Sequence, residues 1–366
     1  MKQIYALIVM LMMASVAFTG CVSDDGDDTD DIDDTVDPVG TESTSTLDTV
    51  IARGSLKCGV KDSQYGMGYL EADGTYTGLD IEYCKAVAAA IGVDTIEYVL
   101  ATGSNRFELL ASEEIDVLIR TTTWTTSRDA DLNADFAGIN FYDGQGILVN
   151  KDAFPNATSA LHLDGAKICV GIGTTTEGNI ADYFAVNGMT YEAVNSDDAA
   201  TAKAQFEDGS CDAWTGDMSA MVAQKFGLDT AAVPNSAIMP ELLSKEPLAA
   251  ATRDNDDDWN DVVTWVWFGM LTAEELGITS ANYADANMSI PANSRLLNNN
   301  LGLGTEANPL AATWMQSVLA AVGNYEEAYT ESFCTFDDSG DCLIDRAGSQ
   351  NAPYWEGGLQ YAPPMR

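Results

Sequence analysis

Histidine is almost missing from this chain. Of 366 residues only His162 is a histidine, and no Cys-x-x-Cys pair or Cys/His cluster at zinc spacing occurs. Metal coordination through nitrogen and sulfur is thereby excluded as a basis for function, and no metal or cofactor is expected. Basic charge is scarce too: 17 lysines and arginines stand against 57 aspartates and glutamates, a net charge of −40. Such a chain lacks the basic face needed to hold nucleic acid or anionic headgroups. Neither a nucleophile elbow nor a phosphate-cradling glycine loop is found, which removes the commonest sequence signs of acyl and phosphoryl transfer.

What is present begins with a leader. Lys2 precedes an apolar run over residues 4–18, short for a membrane span and right for a signal peptide. The run ends in FTGC, with small residues before Cys21, as in a lipobox. Residues 1–20 are therefore expected to be a signal peptide and Cys21 a lipidation site. Residues 21–46 read as an acidic tether: eleven carboxylates and no basic residue lie between Val22 and Asp48, and such a segment cannot bury a core. The remainder keeps a charge of about −30, which suits solubility in a salty setting. Six further cysteines, an even number in an exported chain, predict disulfides with fifteen possible connectivities.

From about Leu47 the pattern is α/β. GSLKCGV reads as a buried strand, Asp73 and Gly74 as a hairpin turn, and DIEYCKAVAAAIG as a helix stopped by Gly92. TIEYVLA and IDVLI read as strands around the helix NRFELLAS. A second block repeats the alternation with AKICVGI, TTTEGNIADYFAVNG, TYEAV, DDAATAKAQFEDG, CDAWTG and SAMVAQKFG. Strands alternating with helices predict parallel sheets. After SKEPLAAATR comes a long helix whose first turn, DNDDD, suits the helix macrodipole. Neither DNDDD nor DDSGD has the glycine and glutamate of a calcium loop.

In open α/β sheets ligands gather beyond the carboxyl ends of the strands. RTTTWTTSRD sits there, directly after IDVLI, and holds two of the scarce arginines, Arg120 and Arg128. By chemistry alone it is a polar turn able to bind an anion or to brace the surface.

The chain resembles the extracellular solute-binding proteins of polar amino-acid ABC importers, the general L-amino-acid-binding branch. KCGV, YCKAVAAAIG, RFELLASEEIDVL, RTTTWTTSRD, DFAGINFYDGQGILVNK, GTTTEGNIADYF, CDAWTGD, SKEPL, AEELGITSAN and GGLQYAPPMR carry the resemblance in family order. It implies a two-lobed periplasmic-binding-protein fold of type II with two crossover hinge strands, near residues 142–149 and 243–250. Lobe 1 would comprise residues 47–146 plus 243–366, and lobe 2 residues 147–242. It implies the pairs Cys58 with Cys84, Cys169 with Cys211, and Cys334 with Cys342. Its partners would be an L-amino acid, ABC permease and ATPase subunits, and a membrane reached through the lipid anchor.

The resemblance also assigns site residues. Arg128, in the T-x-x-R position, would clamp the ligand carboxylate, as a planar fork does best. Asp217 would meet the α-ammonium, or else cap the helix after it. Thr121 and Thr123 would supply hydroxyl or backbone groups, although the family commonly has Asn at position 121. Thr175 and Thr176, beside Thr174 at a helix N-terminus, would suit an anion or simply cap. Trp124 and Tyr65, with Met67, would wall or cover the cleft. Arg120 is left between an internal brace and a ligand role. The alternatives are an enzyme on the same fold, such as a cyclohexadienyl dehydratase, and a ligand-sensing ectodomain. For the enzyme, His162 in LHLDG is poorly placed and Glu177 has no second carboxylate at convincing spacing.

Overall fold

The computed structural model describes residues 45–335 and 341–366. The expected signal peptide, Cys21 and the tether through residue 44 lie outside the described residues, as do residues 336–340, which take in all of DDSGD but Asp341.

Helix α1 (Thr46–Arg53) ends at Gly54 in the left-handed conformation, and β1 (Ser55–Val60) follows. A small antiparallel sheet comes next, formed by β2 (Ser63–Gln64), β3 (Gly68–Leu70) and β4 (Tyr76–Thr77). Its tip is the expected turn: the Asp73 carboxylate accepts from the Thr75 N–H at 2.9 Å, and Gly74 has φ +91°. Then come α2 (Leu79–Ile91), β5 (Thr95–Leu100), α3 (Arg106–Ala111), β6 (Val117–Leu118), α4 (Thr126–Asp131) and β7 (Ala134–Asp143). Apolar residues of α2 recur at helical spacing, and Gly92 in the left-handed conformation takes the last carbonyls, as a C-terminal glycine does.

The chain crosses at Gly144 into β8 (Gln145–Asn150). The second block is β9 (Ala166–Gly171), α5 (Thr175–Val186), β10 (Tyr191–Ser196), α6 (Ala199–Glu207), β11 (Ala213–Asp217), α7 (Met218–Phe226) and β12 (Ser236–Ile238). It crosses back through β13 (Glu246–Arg253), and helices α8 (Asp257–Glu275), α9 (Pro291–Asn298), α10 (Trp314–Val322) and α11 (Tyr325–Cys334) complete the first lobe.

Two five-stranded sheets result, ordered β5-β1-β6-β13-β7 and β10-β9-β11-β8-β12. The expectation of parallel sheets is corrected in part. β1 runs parallel to β5 and β6, and β9 parallel to β10 and β11, but β13 and β8 are antiparallel to their neighbours. The reason is directional. A strand that has just crossed enters its sheet from the hinge end, against strands whose carboxyl ends point there. The outcome is the two-lobed α/β architecture of type II periplasmic-binding proteins.

Each lobe has its own core. Trp259, Trp267 and Trp314, with Tyr83, Tyr325 and Phe333, are fully buried in the first; Ile147, Ile168 and Phe184, and beside them Phe206 and Trp214, fill the second. Burial of each large apolar side chain contributes about 1.5–3 kcal/mol. The disulfides are Cys58–Cys84, from β1 to α2, Cys169–Cys211, and Cys334–Cys342. Within DNDDD, Asp256 does not cap its own helix. Its carboxylate accepts from the Ser45 hydroxyl at 2.8 Å and the Thr46 N–H at 2.7 Å, tying α1 to the start of α8.

Candidate functional site

The carboxyl ends of β1, β6, β9, β10 and β11 face each other across a cavity of about 110 Å³. Lobe 1 contributes Lys61, Gly103, Arg106, Arg120, Thr121 and Thr123; lobe 2 contributes Thr174, Thr175, Thr176, Asp217, Trp214 and one face of α7. The lobes meet around this space. Gln64 Nε2 donates to Ser219 Oγ at 3.0 Å, Gln224 Nε2 to the Ser63 carbonyl at 2.9 Å, and Arg106 Nη2 to the Gly173 carbonyl at 3.4 Å.

Two lining groups are incomplete. Arg106 Nε and Thr121 Oγ1 are buried with no hydrogen-bond partner among the described residues, although buried polar groups nearly always have one. Thr121 is also held at φ +38°, in the left-handed region, by its N–H donating to Asp80 Oδ2 at 2.9 Å. A threonine there carries backbone strain, a condition that clusters at ligand sites. Asp80 is fully buried and takes a second bond from Asn140 Nδ2 at 3.2 Å; burial raises its pKa to about 6.

Arg120 Nε donates to the Ala101 carbonyl at 2.8 Å, and burial lowers its pKa to about 10. Lys61 Nζ donates to Gln64 Oε1 at 2.5 Å; burial and then Arg120 push its pKa down to about 7. Arg106 is held well below its ordinary value, first by burial and then by Arg120 and Arg128. Three basic side chains crowd a small buried space, opposed in part by Asp217 and Asp80, and an arriving anion would favour their charged forms.

Asp217 closes β11 at the N-cap position of α7, but its side chain does not cap that helix. The Ser219 N–H donates instead to Asp143 Oδ2 at 3.2 Å, and the Gly144 N–H to Asp143 Oδ1 at 2.8 Å. Asp143 thus takes the capping role, its pKa raised to about 7 by burial and the nearby Asp217. The Asp217 carboxylate is left to the cavity, its own pKa raised by burial and drawn back by Lys61. Thr174 is the N-cap of α5, its hydroxyl accepting from the Glu177 N–H, so Thr175 and Thr176 form the first turn, with the N-terminal amides at the cavity.

Other expected residues fall elsewhere. Arg128 is buried but is not part of the cavity lining; its Nη1 donates to the Thr123 carbonyl at 2.9 Å and its guanidinium lies 5.7 Å from the Phe107 ring. Trp124 stacks on Phe136 at 5.5 Å and is 38% exposed, outside the cavity. Tyr65 stacks on Tyr69 at 3.8 Å and meets Phe226 of the other lobe edge-on at 5.4 Å, also outside it. Met67 is fully buried in the lobe-1 core. Conversely Lys61, Arg106 and Trp214 were missed. Lys61 follows a strand directly, a position that could have flagged it; Arg106 reads in sequence as one polar residue at a helix start.

Thr123 and Thr175 converge on a residue also missed. Their hydroxyls donate to Oε2 of Glu246, 1% exposed, at 2.6 and 2.8 Å.

The model for bacterial extracellular solute-binding proteins, family 3, matches residues 56–286. The glutamate/glutamine/aspartate/asparagine-binding protein BztA of Rhodobacter capsulatus is 42% identical over 334 residues, 89% of this chain and 95% of its own length. The general L-amino acid-binding periplasmic protein AapJ of Rhizobium johnstonii is 39% identical, over 88% of this chain and 94% of its own. A solved ABC transporter/periplasmic binding protein from Brucella ovis, with glutathione bound, is 40% identical, covers 88% of this chain and 100% of that one, and superposes with a TM-score of 0.81. With its two lobes, two crossings and shared cavity, the chain belongs to the bacterial extracellular solute-binding proteins, family 3.

Proposed function

We propose that the chain captures polar L-amino acids as the substrate-binding component of an ABC importer. Lobes close over the ligand and hand it to permease and ATPase subunits at the membrane. The protein is a binding protein, not an enzyme, and it works outside the cytoplasm. The observation that carries the ligand class is the polarity of the cavity: the basic side chains of Lys61, Arg106 and Arg120 on one wall, and the carboxylate of Asp217 on the other. A free amino acid offers one carboxylate and one ammonium, and burying either is costly unless it is paired. Its carboxylate goes to Arg106 and Arg120, aided by the first-turn amides of α5. Its ammonium goes to Asp217. Arg128 supports the clamp from behind Thr123.

A second reading has a specific observation in its favour. A smaller cavity of about 100 Å³ adjoins the first and shares Lys61, Gly103 and Arg120 with it. Glutathione, the ligand of the Brucella ovis protein, carries an α-amino-acid head with a longer tail, and that tail would occupy the second chamber. Thermal melting against the twenty L-amino acids and glutathione separates the cases, since a ligand at a hundred times its Kd stabilises by about 2.7 kcal/mol. A clear upward shift with polar amino acids is expected. Unchanged melting with all twenty would defeat the reading, and a shift with glutathione alone would favour the second.

The leader supports export, with Cys21 lipidated and residues 21–46 as a tether to the outer face of the membrane. Cys21→Ser should move the protein from the membrane fraction into the soluble fraction of the producing cells; unchanged membrane association contradicts the anchor.

A further inference from the structure

Glu246 opens β13 at the second crossing and is 1% exposed. Its two oxygens take four hydrogen bonds. Oε2 accepts from the hydroxyls of Thr123, in lobe 1, and Thr175, in lobe 2, at 2.6 and 2.8 Å. Oε1 accepts from Asn179 Nδ2, in lobe 2, at 2.8 Å and from the Ser244 hydroxyl at the crossing at 2.5 Å. One buried carboxylate therefore joins both lobes and the hinge between them.

The consequence lies in the protons. A hydroxyl has a single proton to donate and two lone pairs with which to accept. Thr123 and Thr175 both spend that proton on Glu246. Their oxygens lie 3.5 Å apart, and both residues line the cavity. What they offer an entering ligand is lone pairs only, with no proton between them. Two such acceptors draw in a donor and repel a carboxylate.

We propose that Glu246 is a positioning residue that fixes Thr123 and Thr175 as acceptors, so that the lobe seam selects the ammonium end of the ligand. The proposal rests on the amino-acid reading above. Glu246 itself does not line the cavity; it acts through the two threonines. Thr175 then plays two parts, its hydroxyl toward the ammonium and its backbone amide, in the first turn of α5, toward the carboxylate.

Calorimetric titration with L-glutamate and with (S)-2-hydroxyglutarate, in which a hydroxyl replaces the amino group, tests this. Wild-type protein should prefer the amino acid by at least about 100-fold. Glu246→Gln keeps the volume but gives the site an amide that donates, so one threonine can turn its proton toward the ligand. The preference should then fall below about 10-fold, mostly by loss of L-glutamate affinity. Thr175→Val, which leaves the carboxylate in place, should lower L-glutamate affinity and spare the hydroxy acid. Equal losses for both ligands in either variant would mean a merely structural role and overturn the proposal, as would an unchanged preference. Binding of neither ligand by the wild-type protein, together with unchanged melting for all twenty amino acids, would overturn the amino-acid reading and the proposal with it. Binding of both ligands equally would overturn the proposal alone.

Discussion

Lys61 shows how a single side chain reports on the site. Its pKa is pushed down to about 7 by burial and by Arg120, so near pH 8 much of it is neutral in the empty cleft. An arriving carboxylate favours the charged form and raises that pKa. Binding at pH 8 should therefore take up a proton, and binding at pH 6 should take up almost none. Calorimetry in two buffers of different ionisation enthalpy measures this, and Lys61→Met should abolish the uptake. Asp80 gives a stability signature of the opposite kind. Its folded-state pKa is raised from 3.8 to about 6, so the folded state holds a proton that the unfolded chain releases between those values. Stability from this group is present below pH 4 and is lost as pH rises through 6, by about 3 kcal/mol. Asp80→Asn should melt progressively higher relative to wild type between pH 4 and pH 7; parallel melting profiles would contradict this. Chemistry-bearing residues were unevenly legible from sequence. Asp217, Thr123 and the 174–176 run were assigned from the family resemblance, and each lies at or shortly after the carboxyl end of a strand. Glu246, inside SKEPL, was not assigned: its meaning comes from donors 123, 67 and 71 residues away in sequence, which only tertiary closure brings together.

At the scale of elements, most strands and helices follow from local pattern. IDVLI, CDAWTG and the helix stopped by Gly92 were readable because alternation and a C-terminal glycine act over a few residues. The direction of β8 and β13 was not readable, since it depends on which end of a sheet the chain enters after crossing. Cross-links add a graded contribution. Cys169–Cys211 closes 42 residues and Cys334–Cys342 closes 8. Constraint of the unfolded chain grows with loop length, so removing the first by double alanine substitution should cost about 4 kcal/mol and the second about 2.5 kcal/mol. Urea unfolding of the two variants checks the ranking, and equal losses would argue against it.

For the whole molecule, the cleft is held shut by polar contacts that can be exchanged for water. Gln64 with Ser219, Gln224 with the Ser63 carbonyl, and Glu246 with Thr175 and Asn179 all span the lobes. Two crossings, through Gly144 and into Glu246, join the lobes, and the proposed function has them part and close as hinged bodies. Small-angle scattering should show a smaller radius of gyration on addition of a bound amino acid, and an unchanged profile would argue against closure. Closure is expected to bury a zwitterion, with Asp217 meeting its ammonium. Calorimetric titration of wild-type protein and Asp217→Asn, with the amino acid giving the largest melting shift, measures this. Stranding a buried charge costs about 2–5 kcal/mol, so the variant should bind at least about 30-fold more weakly; affinity within a factor of three of wild type would contradict the account.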